Sequence, residues 1–293
     1  MKRIFIFLIL FALQANICYG LNWKYLHEEA GRRDLPYALA SIQNNPDNID
    51  SLYILGLVYL NEHKDQEAGQ IFNRILNLDP DVKEAQWGVA EVLRRGHDLE
   101  KAEAILNELI VSNPEFSPAH ISLAYIKYIK MDFDKSVKLA YKVVRQGGDN
   151  VDLSNYIRAY LLVAGAKGMI AHYGGPLSKA VNGTAVMPYL RKAERLQSDN
   201  AGVMFGLGSF YLLAPALAGG DLDKAEQYYK KAIELDPLFP DVYVRLAQFH
   251  KRKGDNGKYR AYLDNALKID PGNELAIDIK SGTCKFICFK GKE

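Results

Sequence analysis

Apolar residues recur along most of the chain at positions i, i+3, i+4 and i+7, which is the spacing of one face of an α-helix. These stretches come in pairs, and short segments containing Asp, Gly or Asn separate the two members of each pair. One pair carries its apolar and small residues at Leu52, Leu55, Gly56, Tyr59, Ala68, Phe72 and Ile75. The pattern therefore predicts a succession of helical hairpins and an all-α chain.

The predicted hairpins repeat with a period of 34 residues, from Pro80 to Pro114 and again from Pro237 to Pro271. A proline at the end of the second helix stops it and turns the chain into the next hairpin. A small residue at the eighth position of the first helix lets paired helices approach closely. These small residues are Gly56, Ala90, Ala124, Gly208 and Ala247. In these features the chain resembles the tetratricopeptide repeat family, which implies an α-solenoid, a right-handed superhelix of about six to seven stacked helix pairs.

The repeat register divides the chain into segments. We predict a signal peptide at 1–20, a degenerate helix pair at 21–48, the repeat array at 49–272, and a capping helix and tail at 273–293. Insertions near 164–184 and 214–220 fall between the two helices of their hairpins, and insertions in solenoids often carry function. The longer insertion is too apolar to lie in solvent, so we expect it to pack into the concave groove as a loop that narrows the superhelix.

In the tetratricopeptide family the first helix of each pair lines the concave groove. The resemblance therefore implies a partner or ligand groove at Tyr53, Leu57, Trp87, Glu91, Arg94, Ile121, Tyr125, Tyr128, Asn155, Leu162, Phe205 and Leu212. Tyrosine and tryptophan are effective binding anchors because they bring a large contact area at low entropy cost. If the 164–184 insertion folds back into the superhelix, it covers Tyr125, Tyr128 and Phe205, and these residues are core instead.

The longer insertion also contains His172, Tyr173, Gly174 and Gly175. Here a titratable group lies within glycine-containing backbone on a potentially functional face. We expect these residues to contact a ligand or partner. Sequence supplies no positioned partner for a catalytic histidine.

The N-terminus has the order of a secretory signal, with Lys2 and Arg3 before the apolar run Ile4 to Leu13 and a small residue at Gly20. The run is shorter than a membrane anchor requires, and the residues before Cys18 are not those of a lipoprotein signal. We therefore expect export after cleavage, to the periplasm or another extracytoplasmic compartment, without stable transmembrane anchoring.

Cys284 and Cys288 remain after removal of the signal. In an oxidising compartment a disulfide is their natural pairing, and the alternative is two free cysteines on a terminal segment. A metal site would need further ligands, and the tail has no nearby histidine or aspartate. We predict no metal and no cofactor.

Composition narrows the function classes. The chain is 48% hydrophobic with a formal charge of +2, and removal of Lys2 and Arg3 leaves equal numbers of basic and acidic residues. Nucleic-acid binders usually carry a basic excess, so we expect no nucleic-acid partner. His27-Glu28-Glu29-Ala30-Gly31 lacks the final histidine of a zinc-protease motif, and no other catalytic constellation is present. We therefore predict that the chain is not an enzyme.

Two hypotheses of function remain. The first is an exported scaffold that binds another protein or an extended apolar peptide in an apolar, aromatic groove, its oligomeric state being open. The second concerns Tyr211 to Asp221, which is similar to a motif of the exported T component associated with TRAP transporters. That similarity implies a ligand-binding or delivery partner of a transporter, with a small apolar ligand.

Overall fold

The computed structural model describes residues 22–289, so the predicted signal peptide lies outside the described residues. Within this range the regular structure is helical, and it contains no strand. The helices are α1 (Trp23–Ala30), α2 (Leu35–Ser41), α3 (Ile49–Asn61), α4 (Asp65–Leu78), α5 (Lys83–Arg95), α6 (Leu99–Ser112), α7 (Ser117–Ile129), α8 (Phe133–Gln146), α9 (Leu153–Tyr173), α10 (Pro176–Ser178), α11 (Thr184–Leu196), α12 (Ala201–Leu213), α13 (Leu222–Leu235), α14 (Pro240–Lys253), α15 (Asn256–Ile269) and α16 (Glu274–Ser281).

Hairpins are formed by α3 with α4, α5 with α6, α7 with α8, α9 with α11, α12 with α13, and α14 with α15. Each hairpin packs on the next, and α16 packs on α14 and α15. This arrangement confirms the predicted all-α solenoid. No helix within residues 22–289 is both long enough and apolar enough to span a bilayer.

The aspartates of the repeat set the turns between hairpins. Asp79 Oδ1 accepts a hydrogen bond from the backbone N–H of Asp81 at 3.0 Å, and Asp236 holds Leu238 in the same way at 3.0 Å. Such Asx turns fix the chain direction after the second helix. Within hairpins, aspartate side chains cap the start of the second helix, at Asp98, Asp132, Asp221 and Asp255.

Glycines bring the helices together at specific aromatic rings. A Cβ at Gly56 of α3 would lie 2.6 Å from the Phe72 ring, and a Cβ at Gly88 of α5 would lie 2.5 Å from the same ring. Gly208 stands against Tyr229 in the same manner, at 2.8 Å. The contacts at Gly56 and Gly208 are those predicted for the eighth helix position, and Gly88 is an addition that the repeat pattern did not indicate.

The first insertion differs from the predicted loop. Helix α9 continues through residues 164–173, because no proline or glycine cap interrupts it before Gly174, and a π-helical turn, Lys179–Gly183, then leads into α11. Leu177 and Val181 are 78% and 59% exposed. The expectation that the apolar side chains of this insertion all pack is therefore wrong for these two residues.

The ends of the solenoid meet through two histidines. His63, between α3 and α4, lies with its Nε2 3.2 Å from Asp236 Oδ1. His97, between α5 and α6, lies with its Nε2 2.8 Å from Asp270 Oδ1 and its Nδ1 2.9 Å from Glu274 Oε1. The early hairpins therefore contact the late ones, and the solenoid closes around its concave face.

Candidate functional site

The closed solenoid surrounds a cavity of about 1940 Å³ on the concave side of its first helices. Nine of the predicted groove residues line it, namely Leu57, Trp87, Glu91, Arg94, Tyr125, Tyr128, Asn155, Leu162 and Phe205. The other three, Tyr53, Ile121 and Leu212, have no exposed side-chain surface and do not line it. The prediction that these three contact a partner from the groove is wrong, because neighbouring helices and the N-terminal segment enclose them.

Helix α1 covers part of the concave face. The Nε2 of His27 and the hydroxyl of Tyr53 are 2.8 Å apart, and the His27 ring lies 5.2 Å from the ring of Trp87. Trp87 is only 3% exposed, and its Nε1 donates to Ser122 Oγ at 3.0 Å. Burial lowers the pKa of His27, which favours the neutral ring. At this end the groove is therefore filled by the protein's own N-terminal helix, and Trp87 is held mainly as a packing residue.

A buried ion cluster lies beside the part of the wall that α1 covers. Glu91 accepts bidentate hydrogen bonds from Arg94 at 2.9 and 2.8 Å and another from Ser122 at 2.6 Å. Arg158 of α9 reaches the same carboxylate at 3.4 Å. Although burial alone would raise it, the pKa of Glu91 is held well below its usual value by these two guanidinium groups. One carboxylate is therefore shared by two arginines, and the buried carboxylate of Asp152 also acts on Arg158.

The open part of the wall is aromatic and apolar. The guanidinium of Arg94 lies over the ring of Tyr125, 4.4 Å from its centroid. Phe205 of α12 packs 5.1 Å from the Phe239 ring and remains partly exposed to the cavity. Tyr128 lies further along the same wall. This surface presents rings and guanidinium groups together, which suits a ligand with both apolar groups and hydrogen-bond acceptors.

The insertion residues divide between cavity and surface. His172 lines the cavity, whereas Tyr173, Gly174 and Gly175 do not. The Tyr173 hydroxyl donates instead to the main-chain carbonyl of Lys285 at 2.7 Å. Gly174 lies close to Ser178, where a Cβ would overlap the serine side chain. The two glycines thus serve the turn after α9.

Sequence reasoning missed three residues of this site. Arg158 falls at the eighth helix position, where the other first helices carry a small residue, and the repeat pattern therefore passed over it. Arg245 of α14 is not among the predicted groove residues, yet it lines the cavity with 4% of its surface exposed. His27 precedes the repeats, so no periodicity places it. Arg158 and Arg245 could have been found from the sequence, because each is an arginine on a helix face whose other residues are small or apolar.

The two closure histidines lie in turns with a left-handed backbone conformation, as Met131 does in the equivalent turn after α7. His63 and His97 have φ angles of 57° and 66°, a region that favours glycine, and the corresponding turn after α14 uses Gly254 at 84°. A Cβ at Gly272 would overlap the His97 ring. The closure contacts thus accompany a local conformation that histidine adopts at a cost.

We expect the contribution of His97 to stability to depend on pH. Hydrogen bonds to Asp270 and Glu274 raise the pKa of His97 to about 10, against about 6.5 in an unfolded chain. The stabilisation is therefore fully present below about pH 6.5 and is lost as the pH rises through about 10. The loss of melting temperature caused by His97→Gln should shrink across this window in thermal unfolding followed by circular dichroism. The exposed His172→Gln is the control, and a loss for His97→Gln that is constant with pH would contradict the assignment.

Comparisons with known proteins agree with this architecture. Tetratricopeptide repeat models match residues 50–81 and 216–276. Together with the stacked hairpins, these matches support the tetratricopeptide repeat family. Such repeats indicate a scaffold for protein–protein interaction.

Individual relatives extend the comparison to fold. BBS4, a BBSome complex member from Bos taurus, is 38% identical over 71 residues, which are 24% of this chain and 13% of that protein's length. A tetratricopeptide repeat protein from Parabacteroides merdae superposes with a TM-score of 0.52 at 14% identity, covering 88% of this chain and 97% of the other. A chain of the APC/C hetero-tetramer Cut9-Hcn1 gives 0.58 at 14% identity, covering 90% and 48%. The structural similarities establish the fold alone, and the resemblance to the transporter T component stays a prediction.

Proposed function

We propose that this chain is a non-enzymatic, exported scaffold that takes a segment of a partner protein into the concave cavity. The single observation that carries the proposal is the cavity wall, where the guanidinium of Arg94 lies over the partly exposed ring of Tyr125 and the partly exposed Phe205 lines the same cavity. Aromatic side chains and arginine are the residue types that dominate binding energy at protein interfaces. An extended apolar peptide whose main-chain carbonyls accept from arginine fits this wall.

Export is supported by the N-terminal sequence and by the tail. Lys2 and Arg3 precede the apolar run of a secretory signal. The structure pairs Cys284 with Cys288 in a disulfide, and disulfides persist mainly in oxidising compartments. Both features support the proposal that the scaffold acts outside the cytoplasm.

Site-specific photo-crosslinking tests the use of the cavity. A benzophenone amino acid in place of Phe205 should yield a discrete crosslinked partner, because this ring lines the cavity. The matched aromatic control is Tyr37 of α2, which is 51% exposed and does not line the cavity. Tyr125→Ser should then weaken the affinity of the identified partner at least tenfold while leaving the helical circular dichroism unchanged. Equal crosslinking from both positions would place binding elsewhere.

A further inference from the structure

The C-terminal tail, residues 283–289, returns to the concave face after α16. Phe286 is 4% exposed and its ring stacks on Tyr128, with the centroids 5.7 Å apart and the planes 19° from parallel. Phe289 lies under the guanidinium of Arg252, which is 4.9 Å from the ring centroid. The tail therefore places two aromatic rings, three positions apart, against first-helix residues of α7 and α14.

The main chain of the tail is held by side chains of the array. The carbonyl of Phe286 accepts from Arg245 Nη1 at 3.1 Å, and the next carbonyl, that of Ile287, accepts from Gln248 Nε2 at 2.7 Å. Tyr173 donates to the preceding carbonyl, that of Lys285. Three consecutive carbonyls are thus bound without the help of a strand or helix partner. These contacts fix the course of the tail's main chain, and the two aromatic rings add side-chain specificity.

The tail meets this site imperfectly. Ile287 has a φ of 66°, a region that is unfavourable for a β-branched residue. The Nε of Arg245 is buried, and no atom within residues 22–289 accepts a hydrogen bond from it. Arg245 also lines the cavity. A different segment could therefore adopt a less strained backbone here and supply the acceptor that the tail does not.

We propose that the tail is a tethered ligand, and that its site on α7 and α14 takes a partner segment with two aromatic residues three positions apart. This inference rests on the proposed function and names the chemistry of the partner. Phe286 and Phe289 show the spacing, while Arg245 and Gln248 supply the donors for the main chain. Because the tail is covalently attached, its effective concentration is high. A partner segment therefore binds only when it outcompetes the tail or when the tail is weakened.

A labelled peptide tests this in trans. The probe is a disulfide-closed peptide of residues 283–289, titrated by fluorescence anisotropy against the full chain. A full-length variant carrying Phe286→Ala and Phe289→Ala should bind it at least tenfold more tightly than the wild type, because its own tail no longer competes. Gln248→Met added to that variant should reduce the affinity at least tenfold. Lys285→Ala, an exposed tail change, should behave as the wild type, and a peptide with both phenylalanines replaced by alanine should not bind.

The proposal is overturned if the double variant keeps the wild-type circular dichroism but does not bind the probe. It is also overturned if the site of one copy is occupied by the tail of a second copy in a dimer. If the double variant does not fold, hydrogen exchange on the wild type decides. The amides of Lys285 and Phe286 donate to Asp278 at 2.8 and 2.9 Å, and excess peptide should accelerate their exchange. Unchanged exchange would overturn the proposal. If either of these results is obtained and the partner still crosslinks at Phe205, only the tail site is rejected and the proposed scaffold function is retained.

Discussion

Replacing Phe72 with alanine is expected to lower the free energy of unfolding by about 3 to 5 kcal/mol, the usual cost of removing a fully buried phenylalanine. Phe72 has no exposed side-chain surface and lies between Gly56 of α3 and Gly88 of α5. Its loss would open a cavity where two consecutive hairpins meet, so both hairpins should be affected. Chemical denaturation followed by circular dichroism measures this change.

Two glycines, one in contact with the Phe72 ring and one on its helix, provide a matched comparison. Gly88→Ala should destabilise by about 1 to 3 kcal/mol through overpacking, because its Cβ would lie 2.5 Å from the ring. Gly69→Ala, on the same helix as Phe72, meets only Val92 at 3.5 Å and should be neutral or stabilising by up to about 1 kcal/mol through helix propensity. When Phe72 has already been replaced by alanine, Gly88→Ala should lower the free energy of unfolding much less than it does in the wild type. Additive effects of the two changes would show that the glycine does not make room for the ring.

The fold could be predicted because its determinants are local and periodic. The small residues at the eighth position, the proline-containing turns and the helical spacing recur at intervals of 34 residues where no insertion intervenes, so each occurrence supports the others. The closure of the solenoid could not be predicted in this way. His63 and His97 are one repeat apart, as are Asp236 and Asp270, but the period does not indicate that the first pair contacts the second across 173 residues.

The site was predicted where the repeat register alone decides which residues face inward. Tyr125 and Phe205 are examples, since both remain partly exposed in the cavity. The register fails where a segment outside the repeats covers the wall completely, as α1 does at Tyr53, and the tail stacks on part of the wall at Tyr128. These segments have no periodicity, so their placement depends on tertiary contacts that single positions do not reveal.

The charged part of the wall also combines residues that follow the repeat register with one that does not. Glu91 and Arg94 follow the register, but Arg158 comes from the next hairpin but one and completes their cluster. A carboxylate shared between two guanidinium groups ties α5 to α9 across the concave face. The cluster therefore stabilises the curvature of the solenoid as well as shaping its cavity.

Replacing Glu91 with glutamine should consequently destabilise the protein by about 3 to 5 kcal/mol, because it leaves two arginines without their buried carboxylate. The side chain of Glu91 is 5% exposed, so water cannot substitute for it. Arg94 and Arg158 lower the pKa of Glu91 in the folded state against the effect of burial. The stabilisation is therefore fully present above about pH 4.3, the pKa of an unfolded glutamate, and is lost as the pH falls towards the lower folded value.

Urea denaturation of the wild type and Glu91→Gln between about pH 7 and pH 3 tests this directly. The difference in unfolding free energy should be largest near neutral pH and should decrease below about pH 4.3. The matched control is Glu108→Gln on α6, because Glu108 is exposed and its replacement should change stability by less than about 0.5 kcal/mol. A Glu91→Gln difference as small as the control's would mean that the arginines find other partners, and that α5 and α9 do not depend on this carboxylate.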